Sequence, residues 1–234
     1  EIAVVVATIR ALKMHGGVAK EDLKAENVKA VTEGGENLAR HVENLKKFGL
    51  PVVVAINKFS ADTKAEVDQV RQICAELGVD AIESDHWGNG SAGAEELAEA
   101  VVAKLDQNGG RYAPLYKDEM PLWDKVRTVA QNLYGAQGII ADKKVRDQFK
   151  ELQDSGFGHY PVCIAKTQYS FSTDPNLKGA PSNHVVPIRE IRIASGAEFV
   201  VAVCGNIMTM PGLPRVPAAN AIDVNEEGDI VGLF

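Results

Sequence analysis

Six consecutive apolar residues, Pro51-Val-Val-Val-Ala-Ile56, constrain this chain more than any other stretch. Most are β-branched and none alternates with a polar residue, which suits a strand buried on both faces rather than one side of an amphipathic helix. The run turns polar at Asn57-Lys58, presents an aromatic at Phe59, and enters a Ser60/Asp62/Thr63 cluster suited to capping a following helix. In open α/β sheets, ligands bind in the crevice beyond the carboxyl ends of the strands. Phe59 therefore stands where a ligand would, and where a core phenylalanine usually would not.

Strands separated by helices recur around this run. Ile2 to Ala7 reads as a strand, and Thr8 to Met14 as a mixed polar and apolar segment broken at His15-Gly16-Gly17. Glu21 to Thr32 is charged and weakly periodic. Glu36 to Phe48 carries Leu38, Val42, Leu45 and Phe48 at helical spacing, with Gly49 as its stop. A helix from Thr63 to Leu77, a short strand Val79 to Ile82 and a helix from Gly93 to Leu105 follow. The first half, 1–108, is thus expected to be an α/β region with a parallel or mixed sheet and flanking helices.

The second half, 109–234, is expected to be a smaller mixed α/β region with an irregular tail. Met120 to Tyr134 and Asp142 to Gln153 read as helices, and Tyr160 to Ala165 as a strand. Thr167 to Asn183 reads as a long loop. Val185 to Ala194 and Glu198 to Cys204 read as strands that could form a hairpin through Ser195-Gly196-Ala197. The run Met208-Thr-Met-Pro-Gly-Leu-Pro214 is a proline-stiffened loop whose spacing assigns it no role.

Composition narrows the function classes. A formal charge of -7 argues against nucleic acid as a partner. No apolar run approaches the roughly 18 residues of a membrane span, and the first residues lack the pattern of a secretory signal. Cys74, Cys163 and Cys204 are widely separated in apolar settings, as expected of buried reduced thiols in a cytoplasmic protein. No clustered Cys/His pairs suggest a metal site. The chain opens on a strand without a preceding cap, so it is expected to be the later part of a longer polypeptide.

Few residues offer chemistry. Asn57-Lys58-Phe59-Ser60 departs from the guanine-reading Asn-Lys-x-Asp at its fourth position, and the 234 residues hold no G-x-x-x-x-G-K-[ST] phosphate loop. Phe59 and Trp87 follow successive strands, 28 residues apart, so a parallel sheet would bring both to one edge. There they could sandwich a flat heterocycle, with Glu83, Asp85 and His86 available to its polar edge, or they could simply cover the end of the sheet. Arg10, Lys13 and His15 could bind an anion at the same edge, or form a solvated basic turn. His41, His159 and His184 read as structural or exposed. No catalytic triad or dyad is legible.

Val6-Ala-Thr-Ile-Arg-Ala-Leu-Lys-Met-His-Gly-Gly17 resembles a signature of the formate–tetrahydrofolate ligases, also called formyltetrahydrofolate synthetases. The likeness continues through Thr32-Glu-Gly-Gly-Glu-Asn-Leu38, Ala55-Ile-Asn-Lys-Phe59, Lys166-Thr-Gln-Tyr-Ser-Phe-Ser172, Gly205 to Pro214 and Gly228 to Phe234. It implies the C-terminal portion of an enzyme that joins formate to tetrahydrofolate with Mg-bound ATP, through formyl phosphate. Phe59 and Trp87 then look like the aromatics that stack the pterin, with Asn57, Lys58, Glu83 and Asp85 as neighbours. Arg10, Lys13 and His15 lie in the matching signature. The family's ATP phosphate loop would lie upstream of Glu1, so this chain is expected to be inactive alone. The likeness further implies a homo-oligomer and, for some members, a monovalent cation. The alternative reading is a stand-alone folate-binding or subunit-interaction module.

Overall fold

The computed structural model describes residues 1–107, 110–207 and 215–232. The first sheet has three strands, β1 (Ala3–Ala7), β2 (Val52–Asn57) and β3 (Asp80–Ser84), in the order β1-β2-β3 and all parallel. The apolar run behaves as its composition demands: β2 is central and buried on both faces from Val52 to Ile56. Val52, Val54 and Ile56 enter a core with Leu38 and Val42 on one helix and Val67, Val70 and Cys74 on another. The edge strand β1 leaves Val4 and Val6 exposed.

Ile9 to His15, in a stretch the sequence leaves unassigned, forms a helix. The Thr8 hydroxyl accepts the Ala11 amide at 3.2 Å and starts α1 (Ile9–His15). The next helix is longer than its periodicity predicts, beginning at Val28 rather than near Glu36. Asn27 caps it by accepting the Ala30 amide, and α2 (Val28–Lys47) buries Ala30, Val31, Gly34, Gly35, Leu38 and Val42 along one face. Its paired glycines look like helix weakeners, and their use is steric. A Cβ on Gly34 would lie 1.9 Å from the Leu12 carbonyl oxygen, and one on Gly16 would lie 2.1 Å from that of Ala30. The backbones of α1 and α2 therefore touch, an approach only glycine allows.

Thr63 and Glu66 form a reciprocal capping box that opens α3 (Lys64–Glu76). After β3 come a single-turn helix, α4 (His86–Asn89), and then α5 (Glu95–Asp106), which packs against β2 and β3.

The second half builds its own sheet and core. Its helices are α6 (Leu122–Asn132) and α7 (Lys143–Asp154), and its strands are β4 (Gly138–Ala141), β5 (Val162–Ala165), β6 (Val185–Ala194) and β7 (Phe199–Cys204). The strand order is β4-β6-β7-β5: β6 and β7 form the expected antiparallel hairpin, while β4 and β5 pair parallel to β6 and β7 respectively. Leu122, Val126, Phe149, Val186, Ile188, Val200 and Ala202 meet between the sheet and the two helices. The four-residue β4 escapes sequence reading because it fills the short gap between two helical patterns. The stretch 167–183 has no strand or helix, as its composition predicts. In the tail, β8 (Asp223–Val224) pairs antiparallel with β9 (Ile230–Val231). The proline-rich run Met208 to Pro214, Asn108-Gly109 and the last two residues lie outside the described residues.

One expectation about the thiols is corrected. Cys74 and Cys204 are buried, but Cys163 is exposed, because alternate residues of β5 point away from the core.

Candidate functional site

The parallel register places the two aromatics at one sheet edge. Asn57, the last residue of β2, pairs with Ser84, the last of β3, and the Lys58 amide extends the ladder to the Ser84 carbonyl at 3.1 Å. Phe59 and Trp87 follow within three residues of these ends, at the rim where open α/β sheets bind ligands.

Phe59 sits in a closed turn. Its amide donates to Asp62 Oδ2 at 2.8 Å, and the Asp62 amide donates to the Phe59 carbonyl at 3.0 Å. Burial raises the Asp62 carboxyl pKa, against the lowering effect of that Phe59 amide. The Arg10 guanidinium, in the first turn of α1, lies 5.0 Å from the centroid of the half-buried Phe59 ring. This cation–π contact occupies one ring face, so a flat ligand would use the other.

Trp87 belongs to α4. Asp85 caps that turn, accepting the Gly88 amide at 3.2 Å and the Asn89 side-chain amide at 3.0 Å. The indole is 81% exposed. A tryptophan normally buries most of its large apolar surface, and here the surrounding turn holds the backbone while leaving the ring open.

The neighbours expected to bind a ligand's polar edge are largely engaged with one another. Glu83 accepts Lys58 Nζ at 2.9 Å on one oxygen and Arg71 Nη2 at 2.8 Å on the other. The Lys58 hydrogen bond lowers the Glu83 pKa, and the same bond raises that of Lys58. These groups sew β2 and β3 together at the rim, with Asn57 half-buried beneath them. His86 Nδ1 lies 3.0 Å from the Ser84 hydroxyl.

Arg10, Lys13 and His15 do not share one anion-binding edge. Arg10 is at the rim. Lys13 is 1% exposed and pairs at 2.6 Å with Glu66, itself fully buried, while also donating to the carbonyls of Leu23 and Ala25. Residues 10 and 13 lie only about 60° apart around the helix, and the packing of α1 against α2 and α3 covers Lys13 while leaving Arg10 exposed. His15 lies at the far end of α1, where its Nδ1 accepts the Gly179 amide at 3.2 Å. Glu66 also accepts the amides of Asn27 at 2.8 Å and Thr63 at 3.1 Å, so it ties α1, α2 and α3 together. Burial acts to raise its pKa, but Lys13 and the two amides outweigh this and lower it.

Sequence reasoning missed Glu66 and Arg71 as supports of the rim. The Thr63-x-x-Glu66 spacing signals a capping box, but nothing local signals that its carboxylate is buried against Lys13. Arg71 reaches Glu83 only through the fold. Among the described residues no group of three or more His, Cys, Asp or Glu side chains gathers as a metal-ligand set, and no helix is long and apolar enough to cross a membrane.

Comparison with known proteins agrees with the sequence resemblance. Residues 1–234 match the family described as formate–tetrahydrofolate ligase. Curated relatives of that name include one from Granulibacter bethesdensis, 61% identical over 99% of this chain and 40% of its own length. A Ruegeria relative is 59% identical over 99% of this chain and 41% of its own length. One from Roseobacter denitrificans is 58% identical over 100% and 42% respectively. The chain thus spans about two fifths of the length of the curated relatives it matches.

Proposed function

The chain belongs to the formate–tetrahydrofolate ligase family, and from that premise we propose that its aromatic rim holds the pterin of tetrahydrofolate while formate is joined to N10. The observation that carries this reading is the open Trp87 indole at the same carboxyl edge as Phe59. A pterin stacked between them would gain roughly 0.5 to 1.5 kcal/mol from each ring beyond burial. Arg10 and the Phe59–Asp62 turn hold one ring, and the Asp85 cap holds the helix that carries the other. Asn57, Lys58 and Glu83 form the adjoining wall.

The reaction follows in two steps. A formate oxygen attacks the γ-phosphorus of ATP and expels ADP, giving formyl phosphate. The N10 lone pair then attacks the formyl carbon, phosphate leaves with the C–O bonding pair, and N10 loses its proton. Such steps depend on alignment and on neutralising phosphate charge. The 234 residues contain no G-x-x-x-x-G-K-[ST] loop, so the phosphoryl step is not assigned to residues of this chain. Its part is to grip the pterin and aim N10. The ligase reading also implies a cytoplasmic protein that associates with copies of itself.

The test is equilibrium binding of tetrahydrofolate to the chain, with turnover measured alongside in ATP and formate. Binding without turnover is expected. Phe59→Ala and Trp87→Ala should each weaken binding by at least roughly 2- to 12-fold, the loss of stacking alone, with lost burial adding to it. Unchanged affinity in both variants would remove the aromatic grip, and robust turnover by the chain alone would show that it does more than hold folate.

A further inference from the structure

The far end of α1 opens into a second site. A cleft of about 240 Å³ is lined there by residues of both α/β units, among them His15, His41, Tyr134, Lys166 and Phe171. That is below the roughly 300 to 1,000 Å³ of pockets for drug-sized ligands, so the space suits a small one. None of the lining residues is an aspartate or glutamate, while three are bases and Asn37, Thr167, Gln168 and Ser170 add hydrogen-bonding groups. We propose that this cleft is a binding site for a small oxyanion of the phosphate class.

The donors are held in place. Because His15 Nδ1 accepts the Gly179 amide, its neutral ring carries the proton on Nε2, which remains a donor. Asn37 fixes the same glycine from the other side, donating to its carbonyl at 3.0 Å. The loop after β5 is thereby pinned against α1 and α2. Lys166 gives two of its protons to the carbonyls of Thr167 and Ser170 and sits 5.0 Å from the centre of the Tyr134 ring, leaving one donor. His41 keeps much of its surface open, although its ring rests 4.6 Å from that of Phe171.

The charge balance points the same way. Burial lowers the Lys166 pKa to about 8. It also lowers those of His15, with help from Lys178 and His41, and of His41, with help from Lys166. Within the cleft, His41 thus disfavours the charge of His15, and Lys166 that of His41. Arg40, outside the lining but 5.5 Å from the centre of the Phe171 ring, adds another positive charge nearby. A bound oxyanion would supply the missing negative charge and accept the remaining protons, as buried cations require. The site is separate from the aromatic rim and does not depend on the pterin reading.

Inorganic phosphate titrated into the 234-residue chain, followed through the imidazole C–H NMR signals, tests this. The His15 and His41 signals should shift saturably, and those of the exposed His86 and His159 should not, with sodium chloride at matched ionic strength producing no such saturation. Lys166→Gln should weaken binding by about tenfold or more. Because Lys166 also holds its own loop, His41→Gln serves as a second variant, expected to weaken binding at least about threefold. Shifts that grow linearly and equally on these four of the five histidines, an absence of shifts, or unaltered saturation in the folded variants would overturn the proposal.

Discussion

Replacing Lys13 by Met isolates the charge at the centre of the first unit, because the side chain is 1% exposed and methionine can occupy the space of its aliphatic stem. Glu66 would lose its 2.6 Å partner and the carbonyls of Leu23 and Ala25 would lose a donor. Breaking a buried ion pair on one side costs about 3 to 5 kcal/mol. Glu66 would keep the amides of Asn27 and Thr63, which places the expected loss near the lower end, about 3 kcal/mol. With urea slopes of roughly 1 to 3 kcal/mol per molar, the unfolding midpoint followed by circular dichroism should fall by about 1 to 3 M. The pH dependence has a definite sign. Glu66 has a folded pKa below its ordinary value of 4.5, so its stabilisation is present above that value and is lost as pH falls through the lowered one. Lys13→Met should remove most of this acid-side dependence. A loss under about 1 kcal/mol, the range of exposed pairs, would refute the claim that this pair organises α1, α2 and α3.

Gly34→Ala should destabilise the chain by about 1 to 3 kcal/mol or more in the same assay, since its Cβ would meet the Leu12 carbonyl at 1.9 Å and only backbone movement relieves that. Thiol titration of the native chain at neutral pH should modify Cys163 alone. Burial pushes Cys74 up to about 11 and Cys204 up to about 12, and both should react only after unfolding.

The rim was legible because its signals are local. A buried strand followed by polar residues and an aromatic fixes where β2 ends, and a second strand repeats the arrangement before Trp87, 28 residues on from Phe59. Parallel pairing then brings the two ends together. What could not be read depends on tertiary contacts. Lys13 and Arg10 are both basic residues of one short helix, and only the packing of α1 against α2 and α3 turns one inward. The early start of α2 was hidden by Gly34 and Gly35, which local propensity counts against a helix; the touching backbones of α1 and α2 require the first, and the Ile73 side chain packs against the second. The polar cleft joins His15 to Lys166, residues 151 positions apart in sequence, and no motif spacing reports such a meeting.

The most direct measurement is intermolecular NMR contact between tetrahydrofolate and the two rim side chains, with Phe59 and Trp87 selectively labelled. Cross-peaks from the pterin protons to both rings, lost when either residue is replaced by alanine, are the predicted result. Saturated binding with cross-peaks to neither ring would contradict the account.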